Sequence, residues 1–260
     1  MGIVAFKMIA LVSILAIGLV GGFLSVWLAS SEKSDRLFSL GNAFAGGIFL
    51  GAGMIHMLPD AQNGFEGFAG HTDFPWVFLI CAIGFLLVLF LEKVLLHRHD
   101  VIAESERENP GRAFYPYVLT LVLSVHSIIA GIALGTEQTM GLVLVILIAV
   151  AVHKGSAAFA LGVSLFRGGI PKARLLKIIC FFCLMTPLGI VIGSGMTTLM
   201  TGAAELLATS VFDALAAGTF LYVALIDIVE HEFARSGSRL LKFILILFGL
   251  GMMAVLAVWL

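Results

Sequence analysis

Charged residues are scarce in this chain, because Asp, Glu, Lys and Arg make up only 12% of its 260 residues. Soluble domains carry about 25% charged residues. Hydrophobic residues reach 60%, and a soluble protein of this length could not bury so much apolar surface. The composition therefore excludes a soluble globular protein and predicts an integral membrane protein whose main surroundings are a lipid bilayer. No nucleic-acid partner is expected.

Cysteines and enzyme motifs are also few. The three cysteines all lie in apolar runs, so no disulfide framework is expected. The chain has no H-E-x-x-H, G-x-S-x-G or P-loop motif. We therefore expect neither an enzyme nor a bound prosthetic group.

Long apolar runs, in contrast, are abundant. A helix needs roughly 20 residues to cross the hydrocarbon core. The first run is longer than a signal-peptide core, so it counts as a span. The connections between runs are short and polar, which predicts one domain, 1–260, with an all-α fold of eight transmembrane helices. The eight runs cover about 4–29, 38–58, 75–96, 115–135, 140–166, 174–196, 211–230 and 239–260.

Basic residues follow the alternation of the loops. The first, third, fifth and seventh loops carry 13 of the 15 Lys and Arg residues, and the even-numbered loops carry none. In short loops such a bias marks the cytoplasmic side. Both termini are therefore predicted to face away from the cytoplasm. The remaining two basic residues are Lys7, near the outer end of the first helix, and Lys154, in the middle of the fifth.

Two histidines lie near the centres of neighbouring spans, His126 in the fourth and His153 in the fifth. Ionisable residues at mid-membrane depth mark functional sites by default. A short loop joins the two helices, so they form an antiparallel hairpin that brings both imidazoles to one depth. Imidazole binds zinc, iron, copper and nickel, and we predict a metal site here. The alternative is that each histidine only hydrogen-bonds a neighbouring helix.

Lys154 directly follows His153, and no Asp or Glu is expected at its depth. It is predicted to be a fixed positive charge in the pathway, to reach water in a cavity, or to be neutral.

Polar residues also gather at the ends of predicted spans. His56 is expected at the outer end of the second helix, close to Asp60. With the central pair these residues predict a track for cations across the membrane. The alternative for each end cluster is a solvated helix end. The inner ends carry Glu92, Asp227, Glu230 and His231.

Two motifs on the central helices resemble a known family. The fourth-span segment His126-Ser127-x-x-x-Gly131 resembles the H-[NS]-x-x-[ED]-G signature of the ZIP family of zinc- and iron-regulated metal transporters. The fifth-span segment His153-Lys154-Gly155 resembles the branch of that family with His-Lys at this position. The resemblance extends over essentially the whole chain, with the motifs in the same order.

The resemblance implies a fold and a function. The fold would have a 3+2+3 arrangement, in which two three-helix units related as inverted repeats flank the fourth and fifth helices. The function would be movement of a divalent metal, first of all Zn²⁺, into the cytoplasm across the plasma membrane, in a homodimer. His126 and His153 would be the metal ligands and Ser127 a weaker oxygen ligand. His56 would help at the entrance and Asp227 at the exit.

The chain departs from the family pattern at four positions. Ala130 and Ala157 stand where the family usually or often has acidic residues, and Lys154 stands where some members have a second-metal carboxylate. Thr186 replaces a glutamate of those members. These changes predict a single site that binds metal weakly and transiently. Two alternatives remain: a transport-inactive metal-sensing or assembly protein with the same fold, and a transporter of a different substrate that uses Lys154.

Overall fold

The computed structural model describes residues 2–31, 34–70, 72–96, 110–196 and 203–258. Within these ranges eight helices are long and apolar enough to cross a membrane, which confirms the predicted all-α, eight-span fold. The predicted loop residues Lys33, Arg98 and Arg107 lie outside the described ranges. The helices are α1 Ile3–Leu28, α2 Ser34–Ala69, α3 Trp76–Val94, α4 Pro110–Thr136, α5 Met140–Arg167, α6 Lys172–Met196, α7 Leu206–Ala234 and α8 Arg239–Leu256.

Helix α2 is longer than its sequence predicts, because a π-helical segment at Ala52–Met57 carries it past a proline. The N–H of Leu58 bonds to the carbonyl of Gly53, five residues back. The wider turn changes the hydrogen-bond register just before Pro59, which has no N–H to donate. The helix therefore does not stop near residue 58 as expected, and His56 lies inside α2 rather than at its outer end.

The eight helices pack as two groups of four. The histidine group consists of α1, α4, α5 and α6, and its closest pairs are α4 with α6 and α1 with α5. The flanking group consists of α2, α3, α7 and α8, and its closest pairs are α2 with α8 and α3 with α7. The two groups meet chiefly where α2 packs on α5 and α7 packs on α4.

The pairs of packed helices follow an internal repeat. In this repeat α1, α2 and α3 correspond to α6, α7 and α8, and α4 corresponds to α5. Helix α1 packs on α5 as α6 packs on α4, and α2 packs on α8 as α7 packs on α3. Both α2 and α7 contain a π-helical segment. Because α1 and α6 cross in opposite directions, the repeats are inverted. In space, each three-helix unit gives one helix to the histidine group and two helices to the flanking group.

Glycines bring backbones together within each group. A Cβ atom added to Gly131 of α4 would collide with the main chain of Gly189 in α6. Such contacts let helices approach closely in a membrane. Between the groups the contact is different, because Gly41 of α2 meets a side chain, the ring of Phe159 in α5, rather than a backbone. Close glycine-to-backbone contacts within one group are also made by Gly21 with Gly155, Gly218 with Cys81, and Gly47 with Ile246.

Candidate metal site

Three histidines from three helices lie together where the two groups meet. His126 and His153 lie near the middle of α4 and α5 and are 6% and 3% exposed. Their ring centroids are 5.6 Å apart, so the hairpin brings the two imidazoles together as predicted. His56 of α2 approaches from the flanking group, with its ring centroid 6.2 Å from that of His153. The cluster therefore contains side chains from both groups.

His126 has ring nitrogens without protein partners. Neither of its two ring nitrogens has a hydrogen-bond partner in the described part of the chain, whereas His153 interacts with the main chain of Ala149. Buried polar atoms are nearly always paired, and an unpaired one calls for a structural explanation. A histidine that served only to join two helices would use these atoms for a hydrogen bond. The unpaired nitrogens instead remain available as ligands.

Carboxylates are absent at the two positions where the resemblance implies them. Ala130 packs against the apolar cluster around Leu134 and Val143, and Ala157 is buried in the main apolar core. Among the residues that the structure describes, no three His, Cys, Asp or Glu side chains are arranged to hold one metal ion. The geometry thus offers imidazole nitrogens in proximity but not a closed coordination sphere of the kind that structural zinc sites have.

Phe220 of α7 forms an apolar wall against the histidines. Its ring meets that of His126 edge-on at 4.7 Å between centroids and lies 6.2 Å from that of His153. On its other side it packs on Phe49 of α2, at 5.0 Å. Because Phe220 belongs to the flanking group, a displacement of one group against the other moves this wall relative to His126 and His153.

The ammonium group of Lys154 is bound within the histidine group. Its Nζ donates to Oγ of Ser127 at 2.9 Å and to the main-chain carbonyl of Phe182 in α6, also at 2.9 Å. It also lies 3.5 Å from the centre of the Phe182 ring, a cation–π contact. Lys154 therefore ties α4, α5 and α6 together, and the hydroxyl of Ser127 is already an acceptor for it.

A second cluster lies next to the histidines, towards the loop between α2 and α3, which contains no Lys or Arg. Nδ1 of His56 lies 2.9 Å from Oδ2 of Asp60, although the two are not aligned as a hydrogen bond. Asp213 of α7 interacts electrostatically with both residues. Asp213 is not among the residues that the sequence predicts for the site, because the predicted span begins only two residues before it. An aspartate inside an apolar run was the signal that could have identified it.

The third cluster lies towards the opposite ends of α3 and α7 and gathers the predicted inner residues. Oε2 of Glu92 accepts a hydrogen bond from the Tyr222 hydroxyl at 2.9 Å, and Oε1 accepts one from Lys93 Nζ at 2.6 Å. Asp227 is a hydrogen-bond partner of Glu92 as well. Glu230 interacts electrostatically with Tyr222, Lys93 and Asp227. His231 is exposed and lies beside the carbonyl of Ile226.

Eight spans, inverted repeats and ionisable residues buried between two helix groups define a multi-pass membrane transporter. The family model described as ZIP Zinc transporter matches residues 4–115 and 104–257 of the chain. Zinc transporter ZIP1 of Takifugu rubripes is 30% identical over 96% of this chain and 97% of that protein. Zinc transporter ZIP1 of Danio rerio is 31% identical over 96% of each. Zinc transporter ZIP2 of Mus musculus is 28% identical over 89% and 88%.

The chain therefore belongs to the ZIP zinc transporter family, a family of transporters and not of enzymes. This confirms the family membership that the motifs on the fourth and fifth spans indicated. The assignment of individual site residues, the direction of transport and the homodimer stay predictions.

Proposed function

We propose that the protein carries Zn²⁺, or a related first-row divalent ion, into the cytoplasm through His126 and His153. The observation that carries this proposal is the pair of unpaired, buried ring nitrogens of His126, with the buried imidazole of His153 at 5.6 Å between ring centroids. The proposal also rests on relatives that are named zinc transporters. The sequence selected the same two residues, because they are ionisable groups at the centres of apolar spans.

The three polar clusters suggest a route. Metal would enter beside His56, Asp60 and Asp213, where carboxylates attract cations on the side of the basic-free loops. It would then meet His153 and His126 and leave past the acidic cluster around Glu92 and Asp227, with Glu230 and His231 at its exposed edge. Ser127 would add a hydroxyl oxygen at the central step. In a cell this route would run inward across the plasma membrane.

We propose weak, transient coordination at the centre. The two imidazoles carry no negative charge to offset that of a divalent ion, and the positively charged form of Lys154 nearby would repel it. Weak binding suits passage, because an ion must leave a site as well as enter it. Bound water would supply the remaining ligands.

Movement of the two groups against each other would provide alternating access. Each group is joined internally by close backbone contacts, while side chains fill the contact between groups. The histidine cluster and the Phe220 wall span that contact, so a displacement would separate His56 and Phe220 from His153 and His126. The metal would then be exposed to one side at a time.

Uptake by proteoliposomes tests the central site. Purified parent protein, His126→Ala and His153→Ala would be compared in zinc uptake above empty liposomes. We expect each alanine variant to lose at least about tenfold in initial rate, the equivalent of about 1.4 kcal/mol in the barrier. Ser124→Ala is the matched control, because Ser124 is also a buried polar residue of α4 and has no proposed part in the route. Uptake by His126→Ala equal to that of the parent would refute the assignment.

The alternative of a different substrate held by Lys154 receives no support from the contacts of that residue. Its Nζ has two oxygen partners and an aromatic face already. The transport-inactive alternative predicts background uptake for the parent itself, so the same experiment decides it.

A further inference from the structure

Arg167 and Glu232 form an ion pair between the two helix groups. Arg167 is the last residue of α5, in the histidine group, and Glu232 lies near the end of α7, in the flanking group. Nη1 of Arg167 donates to Oε1 of Glu232 at 2.7 Å. The glutamate side chain is 1% exposed and the arginine side chain 25% exposed. The pair lies on the side of the basic loops, which the positive-inside rule makes cytoplasmic.

Glu232 is held firmly within its own group. Nδ2 of Asn42 in α2 donates to the same Oε1 of Glu232 at 3.0 Å. Lys242 of α8 donates to the main-chain carbonyl of Glu232 at 2.5 Å. The flanking group therefore keeps the carboxylate in position by itself, and Arg167 is the partner that arrives from the other group.

Lys154, Tyr222 and Lys7 also make long-range hydrogen bonds, and each of these stays inside one group. Lys154 joins α5 to α4 and α6, which all belong to the histidine group. Tyr222 joins α7 to Glu92 of α3, both in the flanking group. Lys7 of α1 donates to the carbonyl of Gly135 in α4, again within the histidine group. The Arg167–Glu232 pair differs from all of these because it joins the two groups.

We propose that this pair is a cytoplasmic-side latch, which holds the two groups in the arrangement described here and opens when they move. The inference rests on the alternating-access step of the proposed function. With the latch closed, α5 is fastened to α7 at one membrane face. Any displacement of the histidine group along the flanking group then breaks the bond from Arg167 to Glu232.

The composition of the latch suits a contact that opens and closes. Nε and Nη2 of Arg167 have no hydrogen-bond partner in the described ranges, so the network is not fully satisfied. A fully satisfied buried pair would resist separation, because breaking it leaves uncompensated charges. Here Arg167 is partly exposed at a helix end. Water at the membrane surface can hydrate it once it leaves, and Asn42 remains bonded to the carboxylate.

Hydrogen–deuterium exchange in lipid nanodiscs without metal tests the latch. The variants are Arg167→Gln and Glu232→Gln, with Arg167→Lys as the variant that keeps the charge. The matched control is Arg174→Gln, because Arg174 is an exposed arginine of α6 near the same membrane face. We expect both latch variants to exchange about tenfold faster at 34–42 and 159–167, which face each other across the two groups. A tenfold change corresponds to about 1.4 kcal/mol.

The outcomes separate the latch from other roles. Faster exchange confined to those two segments, partly restored in Arg167→Lys and absent in Arg174→Gln, supports the proposal. Unchanged exchange in both latch variants overturns it, and so does an equal change in Arg174→Gln. Fast exchange throughout all eight helices in both latch variants also overturns it, because the pair would then be a folding element. Since no metal is present, a failure of zinc transport leaves this result intact.

Discussion

At the scale of single residues, Lys154 is the side chain whose role the structure changes most. From the sequence, Lys154 is predicted to place a positive charge in the transport pathway. In the structure its Nζ instead donates hydrogen bonds to Ser127 and to the carbonyl of Phe182. Its aliphatic stem fills space in the histidine group, where the residue is 2% exposed. A buried side chain of this kind stabilises by packing as well as by hydrogen bonding.

Two variants of Lys154 separate packing from charge. Lys154→Ala removes both, and we expect the free energy of unfolding to fall by about 3 kcal/mol. Lys154→Met keeps most of the volume but removes two hydrogen bonds, and we expect a smaller loss of about 2 kcal/mol, about 1 kcal/mol for each bond. Thermal unfolding in detergent measures both. A stable Lys154→Met protein that has lost all zinc uptake would contradict a purely structural role.

The sequence could identify His126 and His153 because each is a single ionisable residue at the centre of a long apolar span. It could not identify Asp213 in the same way, because the predicted helix end lay close to it. Nor does the sequence indicate that Arg167 and Glu232 meet. They are 65 positions apart, and both read as ordinary residues at the ends of spans.

At the scale of elements, the close glycine contacts decide which helices pair. Gly131 of α4 faces the backbone of α6, whereas a Cβ atom at Gly141 of α5 would meet nothing within 4 Å. The two positions therefore offer a matched comparison of the same substitution in two helices of one group.

We expect Gly131→Ala to destabilise the protein by about 1–3 kcal/mol, because the added methyl group must push α4 away from α6. Gly141→Ala should be neutral or slightly stabilising, since the added methyl group meets nothing within 4 Å and alanine favours a helix relative to glycine. Melting temperatures of the two variants provide the measurement. Equal destabilisation at both positions would show that the loss of glycine, rather than the collision, is responsible.

The sequence predicts the number and approximate bounds of the helices well, because a bilayer imposes a minimum apolar length on every span. It predicts poorly the places where a helix departs from regular geometry. The continuation of α2 past Pro59 depends on the π-helical segment before it, and nothing in the residues from Ala52 to Met57 distinguishes that segment from an ordinary α-helix. The same applies to Val223–Glu230 in α7.

At the scale of the whole molecule, the division into two groups predicts which cross-links stop transport. Phe38 and Phe166 meet across the two groups, with ring centroids 5.6 Å apart. Phe44 and Phe248 meet within the flanking group at 5.9 Å. The two pairs have similar spacing and differ in whether they join one group or two.

With the three native cysteines replaced by alanine, a cysteine pair would be introduced at either site and bridged by a short reducible bifunctional reagent. We expect the bridge between positions 38 and 166 to reduce zinc uptake to background and a reductant to restore it. The bridge between 44 and 248 should leave uptake within about twofold of the unbridged protein, since it joins helices that move together. Full uptake with the first bridge in place would contradict movement between the groups.

The family resemblance implies the inverted repeats, but not how their helices distribute between the groups. Hydropathy does not distinguish one of the eight spans from another. Which helices pack closely depends on glycines that face a neighbouring helix, and hydropathy does not indicate that orientation. The resemblance therefore implies the 3+2+3 order of the helices along the chain, whereas the two groups of four follow only from the helix packing in the structure.

The division of the helices also limits how far the two groups can travel. Three connections pass from one group to the other: α1 to α2, α3 to α4, and α6 to α7. The first is the shortest, because α1 ends at Leu28 and α2 begins at Ser34. A fully stretched chain between those residues reaches about 20 Å. This connection sets an upper bound on the distance between those two helix ends during transport, and lengthening it would relax that bound and leave the binding site unchanged.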